Sequence, residues 1–219
     1  MKESDFEEFI RSQTVLAKAS IVPEIELYLA TEITPLWQIT EERLKGGNLP
    51  PPYWAFAWPG GQALARYALD HPEEIKDKRV LDFGAGGGIA AIAAAKAGAK
   101  AALADDIDLL AQAAIRMNAA HNNVKVDIHR VMDMDNAIKK VDLIFAGDVC
   151  YQQAMSAIVS RWLYLCVAEG VRVLIADPGR AYVPTEGMKE IARYEVPTSR
   201  DLEDRDSRTV IISELSVPE

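Results

Sequence analysis

From Val80 onward, short apolar runs alternate with stretches of helical periodicity. Val80 to Phe83, Ala101 to Ala104, Val124 to Ile128, Val141 to Ala146 and Val171 to Ala176 read as strands. Between them, Ile89 to Ala97, Leu109 to Ala120 and Ala154 to Ala168 read as helices, the first and last closed by Gly98 and Gly170. Strands that alternate with helical segments of about 10 to 15 residues imply βαβ units. The expected fold is therefore α/β, a Rossmann-like doubly wound sheet with right-handed connections.

The two ends follow other patterns. After the fifth strand, DPGRAYVP is rich in turn-formers, and a short helix is expected near Glu186 to Ala192. Further strands are expected around Tyr194 to Val196 and Thr209 to Ser213, with the charged PTSRDLEDRDS as an exposed hairpin or loop between them. Near the N-terminus, Glu24 to Leu29 alternates as a strand and Pro35 to Leu44 has helical spacing. GGNLPPPYWAFAWPGG then brackets Tyr53, Trp54, Phe56 and Trp58 between Pro and Gly, an aromatic surface that serves either packing or a lid. Residues 1–52 are thus read as a helical and aromatic N-terminal extension packed on a core unit over 53–219.

Composition narrows the classes. A chain of 219 residues suits one domain that buries roughly 70% of its unfolded surface. Against 33 acidic residues stand 24 basic ones, a net charge of −9, which disfavours a groove that tracks nucleic-acid phosphates. A lysine-bearing protein surface is compatible with that charge. The two cysteines and three histidines lack metal-ligand spacing, so no metal is expected. No apolar stretch approaches the length of about 18 residues that a membrane span needs, and the N-terminus MKESDFEEFI lacks a signal core. A cytoplasmic protein, a monomer, is expected.

The stretch VLDFGAGGGIA turns from the first strand into a glycine-rich loop. Gly84 and Gly86 fit the first two positions of a dinucleotide fingerprint, but Ile89 stands at the third, and no Lys-Ser or Lys-Thr follows as in a P-loop. Asp82 decides between ligands, because a carboxylate beside a pyrophosphate costs about 1 kcal/mol even in water and more in a partly buried site. S-adenosylmethionine carries a sulfonium and an ammonium and no phosphate, so the acid attracts it. Asp106 lies 24 residues after Asp82, where an acid grips ribose hydroxyls at the end of strand two. Asp106 suits that place better than Asp105, and Ile107 beside it joins the cofactor set. Asp108 reads as the N-cap of the next helix. Asp133 in MDMDN is either an acceptor for the adenine amino group or a solvated loop acid. Asp82, the turn of Gly84, Gly86 and Gly88, and Asp106 together read as a class I methyltransferase core.

Acceptor chemistry is expected at the end of strand four, in AGDVCY, where Asp148 and Tyr151 stand three residues apart. A lysine amine titrates near pH 10.4, so it must be deprotonated before it attacks, at about 1.36 kcal/mol per unit. A low-dielectric aromatic pocket and an approaching sulfonium both lower that pKa. Asp148 then orients the amine and Tyr151 forms the wall. The plainer alternatives are that Asp148 caps the following helix, Tyr151 belongs to the core, and Cys150 is a small buried residue.

DVCY, VLDFGAGGG and the upstream WPGG resemble the seven-β-strand protein-lysine methyltransferases. PPYWAFAWPGGQALARY, NAAHN, ADPGRAYVP and YEVPTSRDLED are similar to the subgroup that methylates the electron transfer flavoprotein β subunit, over about Ile21 to Leu215. The resemblance implies a seven-strand sheet with its last strand antiparallel. It implies that Trp58 and Pro59 help enclose S-adenosylmethionine, that Asp82 and Gly84 to Gly88 hold its amino acid part and Asp106 its ribose, and that Asp148 and Tyr151 hold the target lysine. Related loops read GSGSG or GTGTG where this chain has GAGGG, a loss of hydroxyl donors. A ribosomal protein or a small-molecule amine is the alternative substrate, and a cofactor-free binding module the alternative from another class.

Overall fold

A computed structural model describes residues 3–30, 51–198 and 205–218. The chain opens with helix α1 (Glu3–Gln13), which the sequence reading did not anticipate, and the antiparallel hairpin of β1 (Val15–Ala19) and β2 (Val22–Leu29). The strand expected at Glu24 to Leu29 is thus β2. The helix expected at Pro35 to Leu44 and most of the charged PTSRDLEDRDS lie outside the described residues. A single 3₁₀ turn, Tyr53–Ala55, leads into α2 (Pro59–Asp70).

Next come β3 (Arg79–Phe83), α3 (Ile89–Lys96), β4 (Ala101–Asp105), α4 (Leu109–His121), β5 (Asp127–Ile128), β6 (Leu143–Gly147), α5 (Gln153–Ala168), β7 (Arg172–Asp177), β8 (Met188–Pro197) and β9 (Ser207–Leu215). The sheet has seven strands in the order β5-β4-β3-β6-β7-β9-β8. Strands β3 to β7 are parallel, and β9, the last in sequence, runs antiparallel between β7 and β8. The expected α/β doubly wound sheet with an antiparallel last strand is present.

Alternate residues of the central strands show why helices cover both faces. Val80, Leu143, Phe145, Leu174 and Ala176 pack with Leu64 and Ala68 of α2 and Ile92 and Ala93 of α3. Their neighbours Leu81, Ile144, Ala146, Val173 and Ile175 pack with Val159, Trp162, Leu163 and Cys166 of α5. The hairpin is attached differently. Asn118 of α4 and Asn122, the C-cap one turn further on, hydrogen-bond β2: Asn118 Oδ1 accepts from Tyr28 N at 2.8 Å, and Asn122 Nδ2 donates to Glu26 O at 2.6 Å. Buried Asn118 also donates to Gly87 O at 2.8 Å, so one amide joins the hairpin to the glycine turn.

Two expectations are corrected. The helix expected near Glu186 to Ala192 is instead the start of β8, which pairs with β9 from Met188↔Leu215 to Pro197↔Ser207. Ala192, Tyr194 and Val196 alternate toward the core, and this period of two, with nine residues of pairing partner, overrides the weak helical propensity of Met-Lys-Glu. A register shift between Glu190 and Ala192 hides that alternation at the strand's start. The strand expected over Val124 to Ile128 shortens to Asp127–Ile128, while Val124 and Val126 still pack on the core.

The N-terminus of α2 lies directly on the carboxyl ends of β6 and β7. A Cβ on Gly60 would stand 2.5 Å from Ala176 O and 2.6 Å from Asp148 Oδ2, and one on Gly147 would stand 2.9 Å from Gly61 N. Only glycine permits this approach. Gly60→Ala is expected to lower stability by about 1–3 kcal/mol in urea denaturation, and an unchanged midpoint would show that α2 shifts freely on the sheet.

Candidate active site

Asp82, the fourth residue of β3, lies buried just before the glycine turn. Its Oδ2 accepts from Ala91 N at 2.9 Å, in the first turn of α3. Burial, and then the neighbouring Asp106 and Asp105, push its pKa up to about 7, against the hydrogen bond from Ala91. Gly84, Gly86 and Gly88 all take left-handed φ, of 68°, 53° and 80°. That conformation turns the chain from β3 into α3 with no side chain over the loop.

Asp106 follows β4 and braces the turn. Its carboxylate accepts from Gly86 N and from Asp108 N, each at 2.9 Å, and burial raises its pKa. Asp108 accepts from Leu110 N at 2.9 Å, which is the N-cap expected for α4. Asp105 is held by Val131 N at 2.6 Å and points to the β5 connection. Burial raises both, to about 6. The resulting cradle is strongly acidic: among the described residues, no lysine or arginine pairs with Asp82 or Asp106.

The remaining expected cofactor residues are more open. Ile107 is 72% exposed next to Asp106. Asp133 lies on the surface and accepts from Asp135 N and Asn136 Nδ2, each at 2.9 Å; the Asn136 bond leads in lowering its pKa. Trp58 is the N-cap residue of α2 and Pro59 its first residue, a position that suits proline's fixed φ and missing N–H. Trp58 Nε1 donates to Tyr53 O at 2.8 Å.

At the end of β6 the chain turns sharply. Asp148 has φ 56°, a conformation that aspartate tolerates better than most side chains. Its Oδ2 accepts from Gly60 N at 2.6 Å and Gly61 N at 3.1 Å, while Oδ1 accepts from Arg180 Nη1 at 2.6 Å. Burial raises the Asp148 pKa to about 6 despite the opposing pull of Arg180. Asp148 therefore caps a helix other than the one that follows it. The N-cap of α5 is Gln152, which makes no side-chain capping bond. Tyr151 is half exposed and meets Tyr53 edge-to-face at 5.6 Å; Tyr53 meets Trp58 at 5.8 Å, and Trp58 meets Phe56 at 6.2 Å. This aromatic wall runs from Tyr151, three residues after Asp148, to Trp58 at the start of α2. Cys150 is buried, and burial pushes its thiol up to about 11, so it carries no thiolate at neutral pH.

Arg180, Asp177 and the Gly60–Gly61 pair were not assigned roles from the sequence. The topology contained a signal for the first two. ADPGR follows the strand adjacent to β6, so it emerges at the same sheet edge as Asp148. Among the described residues, His71, Glu73 and Glu74 form a trio with ligating atoms within 4.8 Å of one another, but it lies at the opposite end of α2. No described helix is long and apolar enough to cross a membrane.

The family model for ribosomal protein L11 methyltransferase (PrmA) matches residues 63–151. The chain is 38% identical to the electron transfer flavoprotein beta subunit lysine methyltransferase of Danio rerio, over 90% of this chain and 78% of that protein. It belongs to the electron transfer flavoprotein β-subunit lysine methyltransferase family. The Homo sapiens member is 38% identical over 81% of this chain and 68% of its own. The crystal structure of ribosomal protein L11 methylase from Lactobacillus delbrueckii subsp. bulgaricus shares the fold, with a TM-score of 0.50 and 20% identity over 74% of this chain and 80% of that one. The glycine turn after β3 and Asp148 after β6 stand at neighbouring strand ends.

Asp82 gives a stability test. Its folded pKa, about 7, exceeds the unfolded value of about 3.9, so the folded state binds the extra proton. Stability is therefore expected to fall as pH rises from about 4 toward 7. In Asp82→Asn that component disappears, and urea midpoints at pH 5.5 and pH 8 should lie closer together than in the parent. An unchanged difference would mean that Asp82 is already ionised at pH 5.5.

Proposed function

We propose that this protein methylates a lysine side chain of the electron transfer flavoprotein β subunit, with S-adenosylmethionine as methyl donor. The observation that carries the reading is the buried Asp148 carboxylate, fixed at the carboxyl edge of the sheet, with the rings of Tyr151, Tyr53 and Trp58 linking its own loop to the start of α2.

The cradle's chemistry fits the cofactor. Two buried acids without a cationic partner, Asp82 and Asp106, border a turn of left-handed glycines. Such a site repels phosphate and attracts a ligand with positive charge and no phosphate. Asp82 and the glycine turn would hold the amino acid part, Asp106 and Ile107 the ribose side, Asp133 the adenine amino group, and Trp58 with Pro59 would enclose the whole. When bound, S-adenosylmethionine supplies a methyl group on a sulfonium, open to in-line displacement.

The chain's own residues then present the acceptor. A lysine amine attacks only when neutral, and transfer from water into the aromatic wall disfavours its charged form. Asp148 cannot swing aside, because two backbone N–H groups hold Oδ2, so an amine that reaches its other oxygen is held in one direction. Fixed direction is the larger part of what such a site contributes. The ring of Tyr151, half exposed at the rim, lines the approach of the lysine stem. The net charge of −9 favours a lysine-bearing protein surface over nucleic acid.

Asp148→Asn keeps an oxygen for the Gly60 and Gly61 N–H groups and removes the charge. It is expected to lower methylation of the electron transfer flavoprotein β subunit at least about 100-fold while S-adenosylhomocysteine affinity, read by calorimetry, stays within a few-fold. Collapse of that affinity would overturn the division between donor and acceptor residues. With labelled S-adenosylmethionine and a cell lysate, label on a ribosomal protein or only in small molecules would overturn the substrate.

A further inference from the structure

Asp148 has a closed side and an approachable one. Oδ2 is walled by the first turn of α2, so tightly that a methyl group on Gly60 would lie 2.6 Å from it. Oδ1 faces Arg180, whose side chain is 22% exposed where that of Asp148 is 10% exposed. Arg180 stands on the loop after β7, shaped by Asp177 Oδ1, which accepts from Gly179 N at 2.7 Å and Arg180 N at 2.6 Å. The guanidinium thus lies between two carboxylates, with Nη1 2.6 Å from Asp148 Oδ1 and 3.9 Å from Asp177 Oδ2. An amine that enters from solvent meets Asp148 at the oxygen that Arg180 already holds.

We propose that Arg180 is a positioning residue that sits in the target amine's seat on Asp148 in the substrate-free enzyme, and that lysine entry moves its guanidinium from Asp148 toward Asp177. The proposal rests on the reading that Asp148 receives the lysine. Its chemical sense lies in the difference between two cations. A guanidinium does not deprotonate in proteins, whereas an amine does. Once both are present, the like charge of Arg180 lowers the amine's pKa, and the amine, not the guanidinium, releases its proton to solvent water before it attacks. Arg180 also keeps Asp148 ionised before the substrate arrives. Among the described residues, the charged groups that face Asp148 are Arg180 and Asp177 from the β7 loop; α2 offers backbone N–H groups, and Cys150 and Tyr151 on its own segment stay neutral at pH 7.

The test is the pH profile of methylation of the electron transfer flavoprotein β subunit by R180Q and R180K, with S-adenosylhomocysteine binding as the control for fold. Loss of an opposite charge in contact favours the protonated carboxyl by about one to three units. The acid limb of kcat/KM is therefore expected to move up by that amount in R180Q and to stay near the parent's in R180K, with inhibitor affinity unchanged within a few-fold in both. A limb that stays in place in R180Q, or an equal fall at every pH in both variants, overturns the proposal. If R180Q does not fold, R180K decides alone: a retained limb with an altered KM for the protein substrate supports the exchange, and a uniform loss of kcat overturns it. Asp148→Asn separates the two levels. An inactive D148N with an unmoved R180Q limb removes only the role of Arg180, whereas an active D148N removes the lysine reading itself.

Discussion

The contact between the Asp148 carboxylate and the first backbone N–H groups of α2 is the constraint around which the rest is arranged. A helix N-terminus carries unsatisfied donors and a partial positive charge, and a buried carboxylate needs both. Each satisfies the other, at the carboxyl edge of the sheet. The consequence for packing is wide, because α2 lies against α3, β6, β7, β8 and β9. Gly60, Gly147 and the left-handed backbone of Asp148 are the local concessions that let two main chains meet this closely. The residue read as the lysine's partner is thus also a structural fastening, and this explains why its carboxylate keeps one direction.

The alternating core was legible in the sequence because it rests on local pattern. Val80 to Phe83, Ala101 to Ala104 and Val171 to Ala176 each announced a strand, and Gly98 and Gly170 marked the ends of their helices. Asp108 was legible as a cap for the same reason, since capping is settled within a turn. What depends on distant partners was not legible. Met188 to Ala192 became a strand because β9 lay beside it, and the shift at Glu190 concealed the alternation that would have said so. The capping of α2 by Asp148 joins residues 88 positions apart, and no spacing rule points from one to the other. Nothing local in ADPGR marks Arg180, and only the strand order brings its loop to Asp148.

The acids of the cradle show how one fold separates classes of ligand. A doubly wound sheet always offers a helix N-terminus and a crevice at its carboxyl edge, and in many such proteins these receive phosphate. Here the first turn of α3 is already occupied by Asp82, and the second glycine's N–H by Asp106. Two of the backbone donors that would serve a phosphate are thus already taken by carboxyl groups. Raised pKa values are the physical trace of that choice, since burial without a cation leaves each carboxyl short of compensation.

The amides of α4 have a further effect on the hairpin they hold. An outer strand with free N–H and C=O groups is a template for another chain's strand, the usual route to association through sheet edges. On β2 the Glu26 N–H and C=O and the Tyr28 N–H are answered by Asn122 and Asn118, side chains that imitate a neighbouring strand. A helix can thus blunt a sheet edge without adding a strand. Two asparagines one turn apart close the β2 edge of this hairpin, and Asn118 ties that edge to the glycine turn.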